Sequence, residues 1–271
     1  MVRAVRETGV TSDFTGERLL GEAADFRVDL ERHLAAYRFA RERAEGRSVL
    51  DAGCGEGYGA ALLASVARRV LGVDRSEATA VAAARHRAPG LEFRAFDLER
   101  LAALGERFEL VVSFQVIEHL PDPLGFLRAL AACAAPGGEI IVTTPNRLMS
   151  VSENPYHLRE WTALELRALA EPVLPGSRVL GVHGSERVLA YERARGAQVR
   201  RILRLDPLGL RRLLPGFVVR TVFPRLAQMV RHRLRAGDAL PAVGPEDFSV
   251  REDGLDRALD LVLVAKGASS A

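Results

Sequence analysis

Short apolar runs and amphipathic stretches alternate through most of the chain. Ser48 to Gly53 (SVLDAG), Val70 to Asp74 (VLGVD), Leu91 to Ala95, Leu110 to Phe114 (LVVSF) and Glu139 to Thr143 are mainly apolar and too short for helices. Between them, Gly57 to Ala67, Glu77 to Ala88 and Asp122 to Ala134 carry small and apolar residues at helical spacing. Unbroken apolar strands separated by helices predict parallel strands buried on both faces and joined by right-handed crossovers. The expected class is therefore α/β, a doubly wound sheet, with Arg27 to Ala44 as an N-terminal helix.

Beyond the fifth strand the pattern predicts a helix over Thr162 to Ala170, a weak strand near Arg178 to His183, and a last strand at Leu259 to Ala265 (LDLVLVA). The stretch from Glu186 to Asp256 reads as mostly helical, punctuated by Asp206-Pro207, Pro215-Gly216 and Pro241. This divides the chain into an N-terminal helical cap (1–47), a sheet domain (48–185 with 257–267) and a helical insertion or lid (186–256). A length of 271 residues suits one core of this kind.

Composition narrows the choice little. Met1 to Thr8 lacks a continuous apolar stretch, and no run approaches the ~18 apolar residues needed to cross a bilayer, so a cytoplasmic location is expected. Cys54 and Cys133 stand far apart with no histidine at metal-ligand spacing, so neither a disulfide framework nor a metal is expected. Charge matters more. The net charge is only +3, but Arg187 to Arg235 holds 13 arginines against two acids, Glu192 and Asp206, leaving the rest of the chain net negative. Within this segment Val219, Val222, Phe223, Leu226 and Val230 recur at helical spacing. Such a basic amphipathic surface suits an anionic small molecule or lipid-linked glycan, or peripheral contact with a membrane. Nucleic acid is disfavoured, because aromatics for base stacking are few and no nucleic-acid motif is present.

Candidate chemistry concentrates in the first strand-to-helix turn, Asp51-Ala52-Gly53-Cys54-Gly55-Glu56-Gly57. Alternate glycines let the backbone turn sharply and lie against a ligand, which the loop is expected to hold by its amides. In an open parallel sheet this is the end of the strands where ligands bind. Gly55-x-Gly57-x-x-Ala60 also fits the dinucleotide fingerprint, so a nicotinamide-dependent oxidoreductase is one reading. Two acids weigh against it. Asp51, ending the first strand, would repel a pyrophosphate and attract a cation, and Asp74, ending the second, can accept from ribose hydroxyls. Together they suit a positively charged, phosphate-free nucleoside.

In this order, Asp51 to Gly57 (D-x-G-x-G-x-G), Asp74, Asp97 after the third strand, Gln115-Val116-Ile117-Glu118-His119-Leu120 after the fourth and Pro136-Gly137-Gly138 before the fifth resemble the class I S-adenosylmethionine-dependent methyltransferases, in particular their small-molecule and ubiquinone-biosynthesis-like members. The likeness covers Ser48 to Asn146 and continues loosely through Thr15 to Arg18, His33 to Ala40 and Asn154 to His157. It implies a Rossmann-like, mainly parallel sheet with an antiparallel last strand. It also implies S-adenosyl-L-methionine as cofactor. Gly53, Gly55 and Gly57 would line its methionine part, Asp51 would help hold the ammonium, and Asp74 would bind the ribose. Arg75, Asp97 and Leu98 would surround the adenine, and Gln115 would lie near the sulfonium. Asp97 reads equally as a cap on the turn that follows it.

A hydroxyl acceptor would be helped by a general base, for which histidine is the usual choice near neutral pH. His119, just past the fourth strand, and His157, in the loop after the fifth, are the catalytic candidates, with His33 a third. Tyr156 and His157 sit in a loop rich in polar and aromatic groups and are candidate substrate contacts. Tyr37 and His33 are four apart on the leading helix and share a face, which makes Tyr37 a further substrate candidate. A module that binds the cofactor without catalysis stands beside these readings.

Overall fold

The computed structural model describes residues 27–150, 156–203 and 242–267. Eight strands form one sheet: β1 (Ser48–Ala52), β2 (Arg69–Asp74), β3 (Leu91–Ala95), β4 (Phe108–Phe114), β5 (Ala134–Pro145), β6 (Arg178–Gly184), β7 (Phe248–Arg251) and β8 (Asp260–Lys266). Their order is β3-β2-β1-β4-β5-β8-β6-β7. The first five are mutually parallel, while β8 runs antiparallel between β5 and β6, and β7 antiparallel on the outer edge of β6. Strand order reverses between β1 and β4, so their C-terminal ends open onto the crevice where such sheets bind ligands.

Successive residues of each inner strand enter opposite layers, which is why the apolar runs are unbroken. Val49, Val70, Leu110 and Ile141 pack under α1 (Arg27–Ala44), α2 (Tyr58–Ala64) and α6 (Glu186–Leu203). Their neighbours Leu50, Leu71, Val111 and Ile140 pack on the other face under α4 (Pro123–Cys133) and α5 (Ala163–Ala170). Helix starts follow local chemistry. The Asp122 side chain accepts from the Gly125 amide at 2.8 Å with Pro123 in the first turn, and Thr162 and Glu165 form a reciprocal capping box. Partly buried ion pairs fix α1 to its neighbours: Arg32 Nε lies 3.2 Å from Asp260 on β8, and Arg195 of α6 lies 3.0 Å from Asp29.

The leading helix and the antiparallel last strand stand where expected. α3 (Ser76–Arg85) stops short of Ala88: His86 is already extended, and Ala88, directly before Pro89, is disfavoured from helical backbone. Ala134 already pairs with Phe108, and regular pairing resumes at Glu139 beyond the positive-φ Gly137. β7 was not foreseen: it lies inside the interval 186–256 read as a helical insertion, and only α6 in that interval's described part is a long helix. Among the described residues, no helix is long and apolar enough to cross a membrane. Thr15 to Arg18, Asn154-Pro155, the amphipathic stretch Val219 to Val230 and the end of the tail fall outside the described residues.

Candidate functional site

The turn between β1 and α2 carries three glycines with left-handed backbone: Gly53 at φ 91°, Gly55 at 52° and Gly57 at 82°. At Gly53 a Cβ would come within 2.3 Å of Val116 Cγ2, and at Gly57 within 2.7 Å of both Ala82 and Phe93. These two positions admit no side chain. Gly55 differs, because a Cβ there would meet nothing within 4 Å; it borders open space.

Four of the loop amides are bonded within the protein. Gly53 and Cys54 both donate to the Val73 carbonyl, at 2.8 and 3.1 Å, and Gly57 donates to Cys54 at 2.9 Å. Gly55 donates to Asp74 Oδ2 at 2.8 Å, while the Arg75 amide donates to Oδ1 at 2.7 Å. The glycines therefore shape the crevice by geometry, and Asp74 ties the loop to β2 while retaining further lone pairs on each oxygen. The amides of Gly53, Cys54, Gly55 and Gly57 are thus already taken up within the protein, which leaves this turn fewer donors for a phosphate.

Asp51 lies fully buried at the end of β1, its two oxygens accepting the Tyr37 hydroxyl at 3.2 and 3.1 Å. Burial raises its pKa to about 7, against the lowering effect of Tyr37 and with a further push from Asp74. No cation pairs with it among the described residues. Tyr37, brought in by α1, stacks edge-on against Phe114 with ring centroids 4.6 Å apart. His33 is half-buried in this aromatic group and bonds the Tyr58 hydroxyl; desolvation and Arg32 lower its pKa to about 4, so it is neutral.

The remaining expected residues gather on the same edge. Phe96 donates to the Asp74 carbonyl at 2.8 Å, which sets Asp97 beside the end of β2. The Asp97 carboxylate caps the following turn through the Glu99 amide at 3.0 Å, the second of its two readings, although it is also exposed. Leu98 reaches to 3.5 Å from where a Gly53 side chain would begin, while Arg75 is exposed. Gln115, directly after β4, adopts φ 57°, alone among the described non-glycine residues in taking a positive value. Its amide donates to the Thr143 carbonyl at 3.0 Å. Such strain persists where surrounding structure enforces it, often at ligand sites.

His119 and His157 meet although they come from different loops: their ring centroids are 5.0 Å apart. The Leu158 amide donates to the Glu118 carbonyl at 2.8 Å and joins the two loops. His119 Nδ1 bonds the Tyr156 carbonyl at 3.0 Å, so Tyr156 contributes its backbone here. His157 Nδ1 bonds Glu160 at 2.6 Å. Burial opposes ionisation of Glu160, but hydrogen bonds from His157 and Ser150 outweigh it and hold the carboxyl below its usual range. Glu118, quoted in the sequence motif but given no role, completes the group. It is 1% exposed, Thr144 donates to its Oε2 at 3.1 Å, and burial raises its pKa to about 8 despite His157 nearby.

Residues 27–173, over half of the chain, match the model of a family described as "Methyltransferase domain". A protein of Mycolicibacterium smegmatis named "Probable S-adenosylmethionine-dependent methyltransferase/" is 44% identical over 162 residues, 58% of this chain and 63% of that protein. The "Ubiquinone biosynthesis O-methyltransferase" of Parvibaculum lavamentivorans is 36% identical over 108 residues, 39% of this chain and 43% of that protein. The chain thus spans less than two thirds of the length of these curated relatives. Among solved structures, an S-adenosylmethionine-dependent methyltransferase from Mesorhizobium loti shares the fold with a TM-score of 0.51 at 16% identity, over 88% of this chain and 99% of that one.

Proposed function

We infer, from the premise that the chain belongs to the methyltransferase-domain family, that it transfers a methyl group from S-adenosyl-L-methionine to a small-molecule, saccharide or lipid-linked acceptor. The observation that carries this reading is the buried Asp51 carboxylate, which has no cationic partner among the described residues and sits beneath a glycine crevice whose Gly53, Cys54, Gly55 and Gly57 amides are already bonded within the protein. A sulfonium nucleoside with a free ammonium supplies the positive charge such a crevice lacks, whereas the diphosphate of a nicotinamide cofactor would find negative charge and no free amides at Gly53, Cys54, Gly55 or Gly57. The cofactor names carried by the relatives agree with this choice.

In this reading Gly53, Gly55 and Gly57 let the backbone lie against the methionine part, and Asp51 acts on its ammonium through charge. Asp74 accepts from the ribose with lone pairs its loop bonds leave over. Arg75, Asp97 and Leu98 border the adenine, and Gln115 lies toward the sulfonium. When bound, the cofactor supplies an electrophilic methyl whose positive charge disappears on transfer, so the protein chiefly has to align the acceptor and exclude water. Tyr37, Tyr156, His119 and His157 make the acceptor side, where a neutral imidazole can take a proton from a hydroxyl. The arginine-rich stretch Arg187 to Arg235 would draw in an anionic acceptor or a lipid-linked one at a membrane surface. We further read 1–47 as a cap, 48–185 with 257–267 as the cofactor domain, and 186–256 as a lid that returns through β7 to the sheet.

Equilibrium dialysis against S-adenosylmethionine carrying a tritiated methyl tests the proposal. Wild-type protein should bind in the micromolar range and pass label to components of a cell extract, while Asp74→Ala should lose binding. Undiminished binding by that variant would remove the site described above.

A further inference from the structure

A second carboxylate is buried at the edge of the sheet that carries the glycine turn, and the fold satisfies only half of it. Asp260 opens β8 and is 2% exposed. Its Oδ2 pairs with Arg32 Nε at 3.2 Å, while Oδ1 is buried without a hydrogen-bond partner. Such an oxygen carries a desolvation cost, and buried polar atoms of native folds are nearly always satisfied. The charges that act on this pair are Asp29 on α1 and Glu192 and Arg195 on α6. Three acids thus face two arginines among the described residues, and the group is one positive charge short. Strand register sets it beside Gln115. Val262 lies opposite Thr143, and Asp260, two residues before Val262, shares that face. Thr143 in turn pairs with Phe114 and accepts the Gln115 side-chain amide at 3.4 Å. Burial opposes ionisation of Asp260 and Arg32 counters it; Glu192 and Asp29 oppose it further and Gln115 favours it, with a raised pKa as the net effect.

We propose that Asp260, oriented by Arg32, is the residue by which the protein distinguishes the sulfonium of S-adenosylmethionine from the neutral thioether of S-adenosylhomocysteine. The inference rests on the methyl-transfer reading above, which puts Gln115 toward the sulfonium. The two nucleosides share ammonium, carboxylate, ribose and adenine and differ only in the methyl group and the positive charge at sulfur. Asp51, which acts on the ammonium, therefore treats them alike, whereas a carboxylate beside Gln115 attracts only the charged one. On transfer the methyl carbon leaves sulfur, the electron pair of that bond stays on sulfur, and the charge is gone. The attraction to Asp260 disappears with it, so the product is held less tightly than the cofactor and is released. Asp260 escaped the sequence reading because it looks like the polar start of a last strand, and only the pairing of β8 with β5 brings it to Gln115.

The test titrates S-adenosylmethionine and S-adenosylhomocysteine separately into full-length protein at pH 8 by calorimetry and compares the ratio of the two affinities. Wild-type protein should prefer the sulfonium. Asp260→Asn, which keeps the shape and removes the charge, should lower that preference by ~10-fold or more through weaker binding of the sulfonium, with the thioether little changed. Asp51→Asn should weaken both nucleosides and leave their ratio as in the wild type. If Asp260→Asn fails to fold, Asp260→Ser takes its place. A wild type that does not prefer the sulfonium, a folded Asp260 variant that keeps the wild-type ratio or weakens both nucleosides alike, or an Asp51→Asn ratio that falls as far as that of the Asp260 variant overturns the proposal. Binding of both nucleosides with any of these results rejects the role of Asp260 and keeps the methyl-transfer reading, whereas wild-type protein that binds neither nucleoside contradicts that reading itself.

Discussion

Asp51 is buried beneath the glycine loop with the Tyr37 hydroxyl as its hydrogen-bond donor, and burial lifts its pKa from the ordinary 3.8 to about 7. A carboxyl whose pKa is higher in the folded than in the unfolded state stabilises the fold below the unfolded value. That stabilisation is lost as pH rises through the folded value. Above pH 7 the whole separation between 3.8 and about 7 acts against the ligand-free fold, on the order of 4 kcal/mol. An asparagine at this position would keep an oxygen for Tyr37 but carry no charge, so Asp51→Asn should stabilise the ligand-free protein relative to wild type. The difference between the two proteins should grow by about 2.5 kcal/mol from pH 5 to pH 8. Urea unfolding of both proteins at the two pH values measures it, and other titrating groups cancel in the difference. The variant should also bind S-adenosylmethionine more weakly, and wild-type affinity should rise with pH through about 7 as Asp51 ionises. A stability difference that stays flat with pH would refute the reasoning.

Gly57→Ala should destabilise the protein by about 2–4 kcal/mol in urea unfolding and abolish cofactor binding, because the left-handed backbone and the contacts with Ala82 and Phe93 both oppose a methyl group. Gln115→Gly relieves a left-handed backbone and should change stability by less than about 1 kcal/mol while weakening cofactor affinity in dialysis; a loss above ~2 kcal/mol would show that its side chain, not its backbone, matters there. Asn146→Ala leaves the Ala258 carbonyl, now bonded at 2.8 Å, without its donor and removes a second bond to the Leu255 carbonyl, which keeps the Ala258 amide; it should cost about 1–3 kcal/mol with little effect on cofactor affinity.

The inner strands were legible because burial on both faces writes a continuous apolar run, as in Val70 to Asp74, and the helix starts at Asp122 and Thr162 carry their caps in the sequence. β7 was not, since its four residues sit at the sheet edge and only Phe248 is buried, too little for any period to show. The glycine loop announced its shape through its spacing, but where its amides point depends on Val73 and Asp74, which only the fold brings near. For the same reason the sequence named His119 and His157 separately. It could not show that Glu118 lies buried between their loops, or that no cation among the described residues pairs with Asp51.

Calorimetric titration of the wild-type protein at pH 8 with S-adenosylmethionine and, separately, with reduced nicotinamide dinucleotide bears most directly on the nature of the crevice. One equivalent of the sulfonium should bind, and the dinucleotide should neither bind nor alter that affinity. Saturable dinucleotide binding that displaces the sulfonium would contradict a site made for a cation.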